Sequence, residues 1–372
     1  MIAHIIIGLD VGGAEMSLGR LVTSRTNNKD DVVIISLTDV GHIGNELKLK
    51  GFKVYSLGLT GLLSVPIVIF KLSKLLHEIN PSIVQTWMYH ANFIGGVSAF
   101  LVGCKNIIWG IRCTFVPTGN KATYVIMKLG ALLSYVIPKY IICVADAARK
   151  SHISYGYAKR KMMVISNGYD INQWKHNQNA RGLLRNSWAI NTETKVIGCV
   201  GRYHNDKGQD IFVKAVNPLV QKFSNLKFIL VGRGCDKSND ELVQLINDLG
   251  LQDFFILLGE HNNVRDCLSA FDLFCMPSRS EGFPNGLAEA MAIGLPCVAT
   301  DVGDSRVLGG DSVVFSEPTI ESLTSSIEYV LNRPEIQLSL GATASKRIVD
   351  CYSMEKISEQ YELLYEKLRK ND

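Results

Sequence analysis

The chain has 372 residues, with 39 Lys and Arg against 35 Asp and Glu for a formal charge of +4. Its 47% apolar and 20% charged residues lie near globular averages, which excludes disordered and low-complexity classes, and its length suits two domains. Charge is uneven: residues 1–180 hold 19 Lys/Arg and 9 Asp/Glu (+10), and residues 181–372 hold 20 and 26 (−6), which points to an anionic surface partner for the first half.

The opening run HIIIGL (4–9) predicts a strand and has no basic segment before it, unlike a secretory signal. Further strands are expected at 31–37, 53–59, 82–87, 106–112, 140–145 and 162–167, with helices near 14–26, 64–79, 90–103, 120–136 and 146–155. Apolar strands separated by helices indicate a parallel sheet covered on both faces. The same grammar restarts at 195–202 and continues through 227–233, 254–259, 272–277 and 296–300, and the chain reads as helical after about residue 320. These patterns give an α/β chain of two Rossmann-like, doubly wound parallel-sheet domains facing a cleft: 1–170, a polar linker at 171–194, and 195–350. A C-terminal helix at 351–372 is expected to pack back toward the first domain. No run of 18 apolar residues offers a membrane span. The nine cysteines include no C-x-x-C pair, and several sit in strand-like runs, as buried thiols of a reducing compartment do. The expected location is cytoplasmic.

Ligands of such sheets bind beyond the strand carboxyl ends, so the loops there carry the candidate chemistry. The first, Gly8 to Glu15, places Gly12 and Gly13 at a helix start, either a tight turn or a loop that lets backbone N–H groups approach a phosphate. In the second domain Val200-Gly201-Arg202 leads to Lys207-Gly208, two cations at the mouth of a sheet that suit a diphosphate. The segment Ser278 to Ala292 delivers Glu281 in a loop and Glu289 on the second turn of the helix that follows. The helix amino terminus between them favours an anion, and carboxylates so placed can clasp hydroxyl groups on either side of a bound phosphate.

Glu281 to Glu289 resembles the E-x7-E signature of the retaining GT-B glycosyltransferases of family 4. The Gly12-Gly13-Ala14-Glu15 loop, Leu230 to Gly234, Ala270-Phe271-Asp272, Gly294 to Thr300 and Asn167 to Asp170 agree with it in order. The resemblance implies a sugar transferase using a nucleotide-diphosphate sugar, a uridine one by preference. It assigns the diphosphate to Arg202 and Lys207, sugar hydroxyls to Glu281 and ribose hydroxyls to Glu289. Backbone of Phe283, Pro284, Asn285, Gly286 and Leu287 would hold sugar and phosphate. Gly12 and Gly13 would close over the diphosphate, and backbone near Glu260 and His261 would meet the base. No D-x-D or Cys/His cluster occurs, so no metal or other cofactor is expected, and fixed cations with a helix terminus would stabilise the leaving group. Arg112 stands where many family members carry a histidine, and a guanidinium there would bind phosphate or acceptor instead of acting as a base. His90 is either an ionisable catalytic group or a plain helix-start residue.

The basic first domain is where the resemblance places the acceptor. Segments 62–76 and 124–140 are apolar with scattered lysines, as core-packing helices are, and also as helices lying in an anionic lipid interface are. The resemblance implies a lipid-linked or saccharide acceptor of surface polysaccharide assembly, and the segments add an expectation of peripheral binding to the inner membrane face, with no nucleic acid. A hexosyl- or N-acetylhexosaminyl-transferase leads. A nucleotide-sugar epimerase or hydrolase on the same frame, or a non-catalytic nucleotide-sugar or nucleic-acid module, are the alternatives. The epimerase would need a further acid/base pair, and nucleic acid would need aromatics interleaved with Lys/Arg, which the basic half lacks.

Overall fold

A computed structural model describes residues 1–10, 12–24, 29–114 and 121–370. Val11 of the glycine loop, residues 25–26 and 120 of two expected helices and the last two residues lie outside the described residues. The chain divides into two units, Met1–Gly168 with Met354–Asp372, and Tyr169–Ser353.

In the first unit β1 (Ile2–Ile6), β2 (Val32–Ser36), β3 (Lys53–Ser56), β4 (Ile83–Trp87), β5 (Ile107–Ile111), β6 (Tyr140–Cys143) and β7 (Met162–Val164) form a parallel sheet. Its order is β3-β2-β1-β4-β5-β6-β7. Strands β1, β2, β4 and β5 are buried along their whole length, because helices cover both faces. Helices Gly41–Leu49, Gly13–Ser24 and Met354–Lys370 pack side by side on the face that carries Ile2, Ile6 and Ile34. Ile5 points the other way, and there the helix Met88–Leu101 lies between Val65–Ile79 and Lys121–Leu133. The C-terminal helix buries Met354, Ile357, Tyr361, Leu364, Tyr365 and Leu368 in this core, a 3–4-residue spacing that lays one apolar stripe on the sheet layer. The helix Gly41–Leu49 has no counterpart among the sequence expectations. It buries only Ile43 and Leu47 as large apolar residues, too few to show a period, and its entry depends on Gly41 at φ +59.

In the second unit β8 (Lys195–Val200), β9 (Leu226–Val231), β10 (Phe255–Gly259), β11 (Leu273–Met276), β12 (Cys297–Thr300) and β13 (Val314–Ser316) form a parallel sheet in the order β10-β9-β8-β11-β12-β13. Strand β13 has three residues, below the length at which alternation can be read.

Residues 171–194, expected as a linker, are a folded part of this second unit and carry a helix at Gln178–Ser187. The sequence reading missed it because ion pairing, not an apolar stripe, anchors the helix. Arg181 and Arg185 reach the Asp272 carboxylate at 2.6 and 3.0 Å, and Asp272 also accepts the Val196 N–H at 2.7 Å. Asn177 caps the helix by accepting the Ala180 N–H at 3.1 Å while its amide donates to Asp266 at 3.1 Å. Asn177→Ala is therefore expected to destabilise the second unit by about 1–2 kcal/mol. Urea unfolding reads this as a lowered midpoint at constant slope, whereas an unstructured linker would give no change.

Candidate functional site

Strand order reverses once in each sheet, between β1 and β4 and between β8 and β11. A doubly wound sheet opens a ligand crevice at such a point, beyond the strand carboxyl ends. In the second unit this rule brings together two loops about 75 residues apart, which end β8 and β11.

The two loops meet backbone to backbone. Gly208 follows Lys207 at φ +66, and a Cβ there would stand 2.1 Å from the Pro277 carbonyl oxygen. The Asp206 carbonyl accepts the N–H groups of Arg279 at 2.8 Å and Ser280 at 3.2 Å. The Arg279 guanidinium holds both Asp210 oxygens, at 2.7 and 2.6 Å, and donates to the Asn205 carbonyl at 2.8 Å. Burial alone would raise the Asp210 carboxyl, but the Arg279 bonds outweigh it and hold the group below its ordinary value.

This framework fixes Lys207 against Glu281. The ammonium lies 2.7 and 2.9 Å from the two carboxylate oxygens, and the Ser278 hydroxyl donates to the first of these at 2.7 Å. Glu281 is only 8% exposed, so these donors replace the water its carboxylate would otherwise bond. Lys207 retains 32% side-chain exposure, and with three N–H donors it has one to offer beyond the two bonds to Glu281. The pair thus presents a fixed cation and a fixed carboxylate in one place.

The helix Asn285–Ala292 begins beside the same strand end, with Gly286 close enough to β8 that a Cβ would lie 3.2 Å from the Val200 carbonyl oxygen. No side chain caps this helix, so the N–H groups of its first turn lack acceptors within the helix. Pro284 has no amide hydrogen, so the backbone donation expected there is corrected: Pro284 is the N-cap and cannot donate. Phe283 is 7% exposed and stacks on Tyr169 with ring centroids 6.4 Å apart, so its side chain belongs to the packing beneath the loop. Tyr169 also donates its hydroxyl to Asn285 Oδ1 at 2.7 Å, a positioning contact that sequence reasoning missed. Leu287 is fully buried and Glu289 half-buried. Tyr169→Phe is expected to cost about 1 kcal/mol of stability and to raise KM for the site's ligand a few-fold, checked by unfolding and steady-state kinetics.

The remaining candidates are dispersed. Arg202 is exposed just past β8 and forms no ion pair among the described residues. Glu260 pairs with Arg233 at 3.5 Å, both well exposed, and His261 Nδ1 accepts the Asn263 N–H at 3.1 Å. They follow β10, the edge strand. In the first unit Gly12 and Gly13 start a helix, the Gly12 carbonyl accepting the Met16 N–H at 2.9 Å. Arg112 is drawn inward: its guanidinium bonds Ser17 and Asn167, reaches the Tyr361 hydroxyl at 3.5 Å and lies 5.0 Å from the Trp87 ring centroid. Those contacts tie the C-terminal helix to the sheet and engage the donors expected for phosphate or acceptor. His90 lies on the first turn of Met88–Leu101 and lines an apolar cavity, where burial lowers its pKa below the ordinary value.

The chain is similar to known proteins in sequence and fold. A model described as Glycosyltransferase Family 4 matches residues 11–173, and one described as Glycosyl transferases group 1 matches 194–333. The capsular polysaccharide biosynthesis glycosyltransferase CapM of Staphylococcus aureus is 23% identical over 313 residues, covering 80% of each chain. The Escherichia coli UDP-Gal:alpha-D-GlcNAc-diphosphoundecaprenol alpha-1,3-galactosyltransferase is 23% identical over 304 residues, 80% of this chain and 78% of that one. The solved structure of Anabaena Alr3699/HepE in complex with UDP superposes with a TM-score of 0.87 over 98% of this chain and 99% of that one, at 21% identity. With both family models in chain order, two doubly wound parallel sheets and a Lys207–Glu281 pair at the second switch point, the chain belongs to glycosyltransferase family 4, has the GT-B fold and is a glycosyltransferase.

Proposed function

We propose that this enzyme transfers a hexose or N-acetylhexosamine from a uridine-diphosphate sugar to a lipid-linked saccharide, with retention of anomeric configuration. The observation that carries the reading is the Lys207–Glu281–Ser278 cluster beside the uncapped start of the helix Asn285–Ala292. A diphosphate leaving group needs positive charge fixed in place, and Lys207, the exposed Arg202 and the first-turn N–H groups supply it without a divalent metal. Glu281 then accepts from sugar hydroxyls and Glu289 from ribose hydroxyls. The acceptor oxygen bonds to the anomeric carbon on the face from which the diphosphate departs. The bond from that carbon to the phosphate oxygen breaks, and the hydroxyl proton passes to the released oxygen.

Support for a uridine donor comes from the UDP complex of HepE and the UDP-galactose donor named for the Escherichia coli relative. That relative's name also specifies a diphosphoundecaprenol acceptor. The first unit favours such a substrate electrostatically: it holds 22 Lys/Arg against 13 Asp/Glu, and the second unit 17 against 22. No helix among the described residues is long and apolar enough to cross a membrane, so the membrane role proposed is peripheral, on the inner face.

The test is a panel of UDP- and GDP-sugars scored by nucleotide release and thermal shift, with proton NMR of the product. The expected result is stabilisation by one UDP-sugar and a product of the donor's own anomeric configuration. An inverted product would end the retaining assignment, and stabilisation by GDP-sugars alone would end the uridine one.

A further inference from the structure

The first unit has its own switch point, between β1 and β4, and a cavity of about 500 Å3 sits there. Ile7, just past β1, forms one part of the lining, and His90, Phe93 and Ile94, just past β4, form another. Val65 and Pro66 from Val65–Ile79 and Ile126 from Lys121–Leu133 complete it, so three adjacent helices share the cavity. The volume falls in the range of small-molecule sites. Its position is the one where a doubly wound sheet holds a ligand, yet the lining has almost nothing to bond a sugar or a phosphate. The strand-to-helix turn at this point is strained: Met88 takes φ +73, a conformation disfavoured for a residue with a Cβ and of a kind found at binding sites. Among the described residues of the lining His90 is the one ionisable side chain, and burial favours its neutral form.

The surroundings continue the apolar character outward. Leu62 is 74% exposed, Leu63 96% and Phe70 72%, and Val125, Leu129 and Leu132 form an exposed stripe on the opposite flanking helix. Lys71, Lys74, Lys121 and Lys128 lie on these same two helices. Apolar helices studded with lysines match a molecule that has a hydrocarbon body and an anionic head.

We infer that this cavity receives the hydrocarbon chain of a phosphate-bearing isoprenoid acceptor, which enters from a lipid surface contacted by Leu62, Leu63 and Phe70. The inference rests on the lipid-linked acceptor proposed above and deepens it, placing the chain at the first switch point between two helices that carry lysines. Gly61 lines the cavity in extended backbone, φ 166, and nothing stands within 4 Å of a Cβ built there. A side chain placed at Gly61, on the cavity lining, therefore meets no atom of the fold at its Cβ.

The experiment is equilibrium binding of farnesyl phosphate to wild type and Gly61→Trp. Farnesol, inorganic phosphate and phosphatidylglycerol vesicles serve as parallel probes, and a benzophenone-bearing isoprenoid phosphate maps the site by crosslinking. Expected are saturable binding of farnesyl phosphate, weaker binding of farnesol and no competition by inorganic phosphate. Gly61→Trp should lose affinity by about tenfold or more at an unchanged thermal midpoint, and crosslinks should fall within 59–66 or 88–94. Vesicle binding that survives Gly61→Trp while farnesyl phosphate binding is lost separates the chain cavity from general lipid contact and supports the assignment. Farnesyl phosphate affinity within twofold of wild type, or crosslinks confined elsewhere, overturns it. Transfer assays keep the two readings apart. Equal transfer to acceptors with and without the hydrocarbon chain defeats the lipid-acceptor reading itself. Chain-dependent transfer with an unaffected Gly61→Trp defeats only the cavity.

Discussion

Replacing Lys207 by Met is expected to lower kcat/KM for the sugar donor by about 10²–10³-fold, the loss seen when one preorganised group facing developing charge is removed. Methionine keeps most of the stem's volume and removes only the ammonium, so the effect reports charge. The same change leaves Glu281, 8% exposed, with the Ser278 hydroxyl as its remaining side-chain donor, and a buried carboxylate short of donors destabilises the fold by about 1–3 kcal/mol. Two readouts are therefore expected to move: donor kinetics strongly and the urea midpoint moderately. Glu281→Gln is the companion variant, since its amide oxygen can still accept from Ser278 while the negative charge is gone. It should weaken donor use with less loss of stability than Lys207→Met. A Lys207→Met enzyme whose kcat/KM stays within threefold of wild type would remove Lys207 from the chemistry.

Gly208→Ala carries the second large effect, this time on stability. The residue sits at φ +66, where an L side chain costs about 1–3 kcal/mol, and its Cβ would press to 2.1 Å of a carbonyl oxygen that cannot swing aside. Adding about 1–3 kcal/mol for that overlap gives a loss of about 2–6 kcal/mol, or a drop of about 4–24 °C in the unit's thermal midpoint. Gly250 is the control, because it has φ +67 and nothing within 4 Å of a built Cβ. Gly250→Ala should show the conformational cost alone. Equal losses at the two positions would mean that the contact of the β8 and β11 loops contributes nothing. Because Gly208 follows Lys207 directly, the variant should also weaken donor binding beyond what its stability explains.

What the sequence made legible follows from what folding makes periodic. Every strand from β1 to β12 lies within or nearly within its expected run, because strands buried on both faces must be apolar throughout. The helix Gly41–Leu49 was illegible, as it buries too few large apolar residues to carry a period, and strand β13 lies in a short Val313-Val314-Phe315 run that the sequence reading passed over. Residues 171–194 were misread as a linker because Arg181 and Arg185 pair with Asp272 across 91 and 87 residues of sequence, a pairing invisible in a local window.

The site divides the same way. Lys207 and Glu281 could be singled out from strand–loop–helix context, and the strand order accounts for their meeting. The supporting contacts could not: Ser278 on Glu281, Arg279 on Asp210 and Tyr169 on Asn285 depend on side-chain geometry that motif spacing does not encode. Arg112 could be placed by alignment with a histidine, but its contacts with Ser17, Asn167 and Tyr361 could not be read from the motif.

Calorimetric titration of UDP into the EDTA-treated protein, wild type against Lys207→Met, tests the central claim most directly. A charge-assisted contact contributes about 1.5–3 kcal/mol, so the account predicts saturable metal-free binding to wild type and a Kd weakened about tenfold or more in the variant. Binding that requires added divalent metal, or a Lys207→Met protein that binds UDP as wild type does, would contradict it.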